Sequence, residues 1–199
     1  MALRRKQLGT FIFVLLWTLL VLYPRPAELL TSMRRLLAPP VDPQAVEKII
    51  FLLPSKEDPA LVEKFILQEF PYLYDWQNFN LPWYFPTAEE AMEKGGGDCK
   101  TRFIILASTL EALGISYETF ISPSHIWVYY EGKKDSGIEN KEAALIRWDG
   151  EKLSLKVPEE VSWPENLEIF YEAFWLHMPL RKKITLLCGF IFAFYLLKK

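Results

Sequence analysis

Residues 95–102 read GGGDCKTR and run on as FIILASTLEALG. A cysteine attacks as its thiolate, and the start of a helix favours that form. Unpaired backbone N–H groups and the positive end of the helix dipole converge there. Asp98 is a good N-cap, which puts Cys99 in the first turn of the helix that follows. The Cys99 amide is then the natural first donor to an oxyanion formed by attack on a carbonyl. The three glycines lack a Cβ, so a substrate backbone can come close to them. Lys100 and Arg102 read as solvated first-turn residues.

A nucleophilic thiol needs a base, and the chain offers two histidines, His125 and His177. His177 lies in an aromatic helix beside a basic cluster and reads as structural or interfacial. His125 opens the alternating run HIWVYYE, which has the period of a strand. A histidine at a strand start, facing a helix N-terminus across a sheet, can partner Cys99. A third group should orient the imidazole. Three acceptors stand downstream: Glu139 at +14, Asn140 at +15 and Asp149 at +24 from His125. Alternation sends Glu139 and Asn140 to opposite faces, so only one can serve. Asn140 is the first choice, with Asp149 and Glu139 as alternates. Asp149 also has a plain role as a turn former before Gly150. Further oxyanion donors are Gln77 and Trp83, from a segment with seven aromatics in residues 71–90. No metal cluster is visible, because one Cys–His pair gives too few ligands, and no cofactor motif occurs. Cys188 sits in an apolar run and has no assigned chemistry.

The elements that must hold these residues read as helices first and strands after, an α+β order with an antiparallel sheet. Helical periodicity covers residues 44–53 and 59–70, with Asp58-Pro59 as cap and first residue. Thr87 and Glu90 form a capping box for a short helix that Gly95 closes. From Cys99 the apolar residues recur at helical spacing to Leu113, an amphipathic pattern that Gly114 stops. Strands are expected over 115–121, 125–131, 143–148 and 153–156, the last two joined by the hairpin signal Asp149-Gly150. Trp163-Pro164 opens a helix to about Met178.

GGGDCKTRFIILASTLEALGI followed by SHIWVYYEG resembles the core of the transglutaminase-like superfamily, the papain-related cysteine fold. DWQNFNLPWYFPTAEEAMEKGGGDC is similar to the lead-in of prokaryotic members of uncertain function. The likeness covers about residues 70–150. It implies a helix bearing the nucleophile packed on an antiparallel sheet, with Cys99 as nucleophile, His125 as base, and an Asp or Asn beyond them. The departure from the pattern lies at that third position. The activity implied is attack on an amide to give a thioester, released by water (protease or amidase) or by an amine. Hydrolysis is the expected outcome for so small a chain. The competing expectation is a non-catalytic module that holds a peptide or cell-wall strand in the same groove.

Both ends are apolar. Residues 8–23 carry no charge, follow Arg4-Arg5-Lys6, and reach about 24 Å as a helix. With no small-residue cleavage site after it, this run reads as an uncleaved signal anchor. Residues 184–197 reach about 21 Å between Arg181-Lys182-Lys183 and Lys198-Lys199, a second span or membrane-associated segment. The expected organisation is an anchor over 1–24, a proline-rich juxtamembrane segment over 25–43, the domain over 44–180 and a membrane segment over 181–199. Basic residues are nearly balanced between the two sides. The signal-anchor pattern tips the expectation toward an extracytoplasmic domain. A net charge of −2 argues against nucleic acid as a partner. The expected partners are the lipid bilayer and a protein, peptide or cell-wall substrate.

Overall fold

The computed structural model describes residues 2–135, 137–150, 152–158 and 162–198. The chain is mixed α+β, with helices around one four-stranded antiparallel sheet. The central element is α7 (Cys99–Ala112), which packs on the sheet and against the helices α3 (Glu47–Ile50), α4 (Pro59–Glu69) and α6 (Ala88–Lys94). Ten of its fourteen residues are buried, which is more than one amphipathic stripe supplies. The amphipathic reading is therefore corrected. Phe103, Ile104, Leu106 and Leu110 join the apolar core, while Ser108 accepts from the Asp42 amide at 3.0 Å and Thr109 donates to Ile105 O at 2.8 Å. These two buried hydroxyls thus have hydrogen-bond partners, whereas that of Thr101, also buried in α7, has none among the described residues.

The sheet has the order β2–β1–β3–β4, with β1 (Tyr117–Ile121), β2 (Ile126–Tyr130), β3 (Ile146–Trp148) and β4 (Leu153–Leu155). β1 and β2 form a hairpin with Ile121 opposite Ile126. Its turn is pinned by Ser122 N donating to His125 O at 2.8 Å and by His125 N donating to the Ser122 hydroxyl at 3.1 Å. That pinning fixes the backbone of His125, one residue before β2. The expected strand over 143–148 shrinks to Ile146–Trp148, because Lys141–Ala143 forms a 3-10 turn capped by Asn140.

Two other expectations shift. The helical pattern at 44–53 yields only α3. The proline-rich stretch of the expected juxtamembrane segment contains a helix, α2 (Ala27–Leu37), which docks onto the domain. Ser32 there is fully buried and its hydroxyl accepts from Phe85 N at 3.1 Å, while Arg35 pairs with Glu90 at 2.8 Å. Prolines 24, 26, 39 and 40 bracket this helix rather than interrupt it, so their count misled.

At the ends, α1 (Ala2–Leu22) and α9 (Leu180–Lys198) pack side by side. Trp17 Nε1 donates to Thr185 O at 3.1 Å, and Gly189 leaves room for the Trp17 indole. Their outer faces expose Leu8, Phe11, Leu15, Ile191 and Phe194. Among the described residues no single helix is long and apolar enough to cross a membrane. Residues Lys6–Leu22 with α2 meet that test only as a pair bent by 74°.

Candidate active site

The glycine run has three local duties. Gly95 closes α6 in the left-handed conformation, at φ 64°, where a side chain would be strained. A Cβ on Gly96 would lie 2.9 Å from Pro71 O, and one on Gly97 would lie 2.3 Å from the Thr101 hydroxyl. Gly96 and Gly97 are buried, so they admit neighbouring protein rather than a substrate, which corrects that expectation. They let the chain double back tightly between α6 and α7. Asp98 then caps α7 as its type suggests, accepting from Lys100 N at 3.0 Å and Thr101 N at 3.4 Å. As the first residue of the helix, Cys99 has an N–H with no intrahelical partner.

Across from this helix start stands His125. Its imidazole hydrogen-bonds with the Cys99 side chain, and its Nε2 lies 3.3 Å from Glu139 Oε1. Of the three acceptors considered, Glu139 is therefore the one that meets the imidazole. Asn140 Oδ1 instead accepts from Glu142 N at 2.9 Å, which corrects the first choice. Asp149 Oδ1 accepts from Lys152 N at 2.8 Å in the β3–β4 turn. The physical reason lies in the 3-10 turn: its cap occupies Asn140 and turns the preceding residue toward β2.

Glu139 is itself held. Lys133 Nζ lies 2.8 Å from Glu139 and 2.6 Å from Glu63, and Glu63 also accepts from the Tyr130 hydroxyl at 2.6 Å. Sequence reasoning missed Lys133 and Glu63. Lys133 follows a turn glycine and Glu63 lies on α4, so only the fold brings them together. Burial alone would lower the His125 pKa, yet Cys99 and Glu139 raise it to about 9. Burial would raise that of Glu139, but His125 and Lys133 pull it below the ordinary carboxylate range. Around neutral pH this favours imidazolium beside carboxylate.

The other expected residues divide. Cys99 and Trp83 line one cavity of about 360 Å³, with Tyr72, Pro82, Ile121, Phe170 and Phe174. Gln77 does not line it. Gln77 is exposed, and its Oε1 accepts from Tyr74 N at 2.9 Å. A second cavity of about 450 Å³ is lined by Leu67, Arg102, Phe103 and Ile138. Tyr72, Cys99 and His125 border both, so the thiol and imidazole stand where two cavities meet. Arg102 turns back to donate from Nε to Phe70 O at 3.0 Å. Lys100, expected in solvent, is 5% exposed and forms ion pairs with Asp75 and Asp98. His177 stacks on Tyr74 at 3.8 Å and its Nδ1 donates to Glu172 O, a packing role. Cys188 is exposed on α9. Among the described residues no group of three or more His, Cys, Asp or Glu could hold a metal ion.

No protein-family model, curated protein or solved structure matches this chain.

Proposed function

We propose that this protein is a membrane-anchored cysteine amidase or protease with a transglutaminase-like core, in which Cys99, His125 and Glu139 carry the reaction. The observation that carries this reading is the imidazole held between the Cys99 sulfur and the Glu139 carboxylate at the mouth of two cavities. An imidazole raised to about 9 is held as imidazolium at neutral pH, the charged partner that a nucleophilic cysteine uses. The thiolate attacks the carbonyl carbon of an amide, and the oxyanion is received by the Cys99 N–H. His125 then gives its proton to the departing amine as the C–N bond breaks, leaving a thioester. With the sulfur acylated, the negative partner is gone and the imidazole loses part of what raised it. Neutral His125 takes a proton from water, which attacks the thioester and releases the acid and the thiol. A groove open on both sides of the thiol suits an internal bond of an extended chain. The same proposal seats the outer faces of α1 and α9 in a lipid bilayer, with basic residues at both ends of the pair.

The test is alkylation by iodoacetamide at pH 6–7 in a Cys188→Ser background. Cys99 is expected to react well ahead of a model thiol, and His125→Ala to slow it about 10²- to 10⁴-fold, the usual span of a general acid–base group. A Cys99 that reacts no faster than a model thiol overturns the proposal.

A further inference from the structure

The residue after the reacting cysteine is a lysine that points inward. The Lys100 side chain is 7% exposed, and its ammonium lies 3.0 Å from Asp75 Oδ2 and closer still to Asp98 Oδ2. Asp75 belongs to the short helix α5 (Asp75–Asn78), and its Oδ2 also accepts from Tyr84 N at 2.7 Å. Asp98 is the cap of α7, with its other oxygen on the Lys100 and Thr101 amides. The Trp83 ring centre lies 6.0 Å from the ammonium. Lys100 thus ties α5 to the cap that orders the first turn around Cys99.

Stability does not account for this arrangement. A buried ion cluster is commonly no better than apolar side chains of the same volume, because each charge must leave water. Two carboxylates share one ammonium here, and among the described residues Asp75 Oδ1 is buried without a hydrogen-bond partner. A cluster that is poor as a support, yet built on the two residues that flank Cys99, acts through the thiol. We infer that Lys100 is a positioning residue for Cys99: its buried ammonium fixes the capped helix start and favours the thiolate, and Asp75 moderates that charge. The inference rests on the reading of Cys99 as nucleophile.

The surrounding charges agree with it. Burial opposes the Lys100 charge, but Asp75, Asp98 and Cys99 keep its pKa well above the ordinary lysine value. Burial and the neighbouring Asp98 push Asp75 up to about 7, against the pull of Lys100. Tyr23, Tyr72 and Arg102 also feel the cluster, and His125 faces Cys99 from the sheet side.

The experiment is the rate of iodoacetamide alkylation at Cys99 against pH, in the full chain carrying Cys188→Ser. Lys100→Met should move the acid limb of the profile to higher pH by about one unit, roughly a tenfold slower reaction below the midpoint. Asp75→Asn keeps the Lys100–Asp98 pair and should move the limb to lower pH. A purely structural role would lower the melting temperature of Lys100→Met and leave the limb in place. An unmoved limb in folded Lys100→Met overturns the inference, and Asp75→Asn decides it if Lys100→Met does not fold. Failure of the nucleophile reading is seen separately, as wild-type Cys99 matching a model thiol in absolute rate.

Discussion

His125 has partners on both sides, and the second is as firmly held as the first. Glu139 sits between the imidazole and Lys133, and Lys133 is 8% exposed and shared with Glu63. A hydrogen bond to a charged group contributes about 1.5–3 kcal/mol. Glu139→Gln should therefore slow alkylation of Cys99 about 10- to 100-fold, while Asn140→Ala, which alters only the cap of a 3-10 turn, should leave it within about twofold. Equal losses in the two variants would remove Glu139 from the mechanism. The same pair has a pH signature in stability. His125 is raised from 6.5 to about 9, so its contribution is complete below 6.5 and fades as pH rises through 9. Glu139 is depressed, so its contribution holds above the ordinary carboxylate range and is lost as pH falls through its lowered pKa. The difference in urea midpoint between wild type and Glu139→Gln should thus be widest around pH 5–6.5 and narrow toward pH 10 as the His125 part is lost, the Lys133 pair being separate from it. Which acceptor meets His125 was not legible from spacing. Strand alternation allowed either Glu139 or Asn140, and a 3-10 turn, invisible to a period-two pattern, made the choice. The burial of Lys100 was hidden for a related reason. A lysine reads as solvated until two carboxylates arrive from separate places, and one of them, Asp75, is 25 residues upstream.

Elements whose signals are local were legible, because their physics is complete within a few residues. The Thr87–Glu90 capping box, the left-handed Gly95, the Asp98 cap and the Asp149-Gly150 turn are all present as expected. Elements whose formation depends on distant partners were not. The helix α2 is stabilised by Ser32 and Arg35 reaching the Phe85–Glu90 region, which no periodicity in residues 24–43 announces. The joint between α6 and α7 belongs to both kinds. Its glycines are conspicuous in the sequence, but their purpose is contact with Pro71 and Thr101. A Cβ at Gly97 would come within 2.6 Å of three atoms of Thr101, whose own side chain is fully buried and cannot withdraw. Gly97→Ala should therefore cost about 1–3 kcal/mol, the usual penalty of overpacking, read as a lower urea midpoint. Alkylation of Cys99 should slow with it, since the displaced residue, Thr101, is in the first turn of α7. An Ala variant as stable as wild type would mean that the joint opens freely.

At the scale of the whole molecule, the groove and the terminal helices are one construction. Leu22, Tyr23, Trp76, Leu81, Met178 and Leu186 form a single buried cluster where the helix pair meets the domain. Trp76 Nε1 donates to Phe174 O at 2.8 Å, and Lys182 Nζ donates to Asn80 O at 2.9 Å. Phe174 also walls the first cavity, so the connection between α8 (Trp163–Tyr171) and α9 is shared by groove and helix pair. The outer faces of that pair are unlike an ordinary protein surface: Leu15, Leu16, Leu20, Ile191 and Phe194 are each more than half exposed. Contiguous apolar surface of this kind marks a partner or a membrane. Each helix carries its apolar run between basic residues, with Lys6 and Arg25 flanking one and Lys183 and Lys198 the other. Such long cations can reach an interface from the ends of a run of roughly 21–24 Å, somewhat short of a bilayer core of about 30 Å. If the pair is seated in lipid, the full chain should stay with the vesicle pellet after alkaline carbonate washing. Release into the supernatant would rule that seating out. Gly189→Leu sharpens the test, because a side chain there would strike the Trp17 indole and part the two helices. The parted helices should still hold the pellet, each by its own apolar run. The thermal unfolding of the domain should nonetheless fall, because the cluster that roots the pair also supports the wall of the groove.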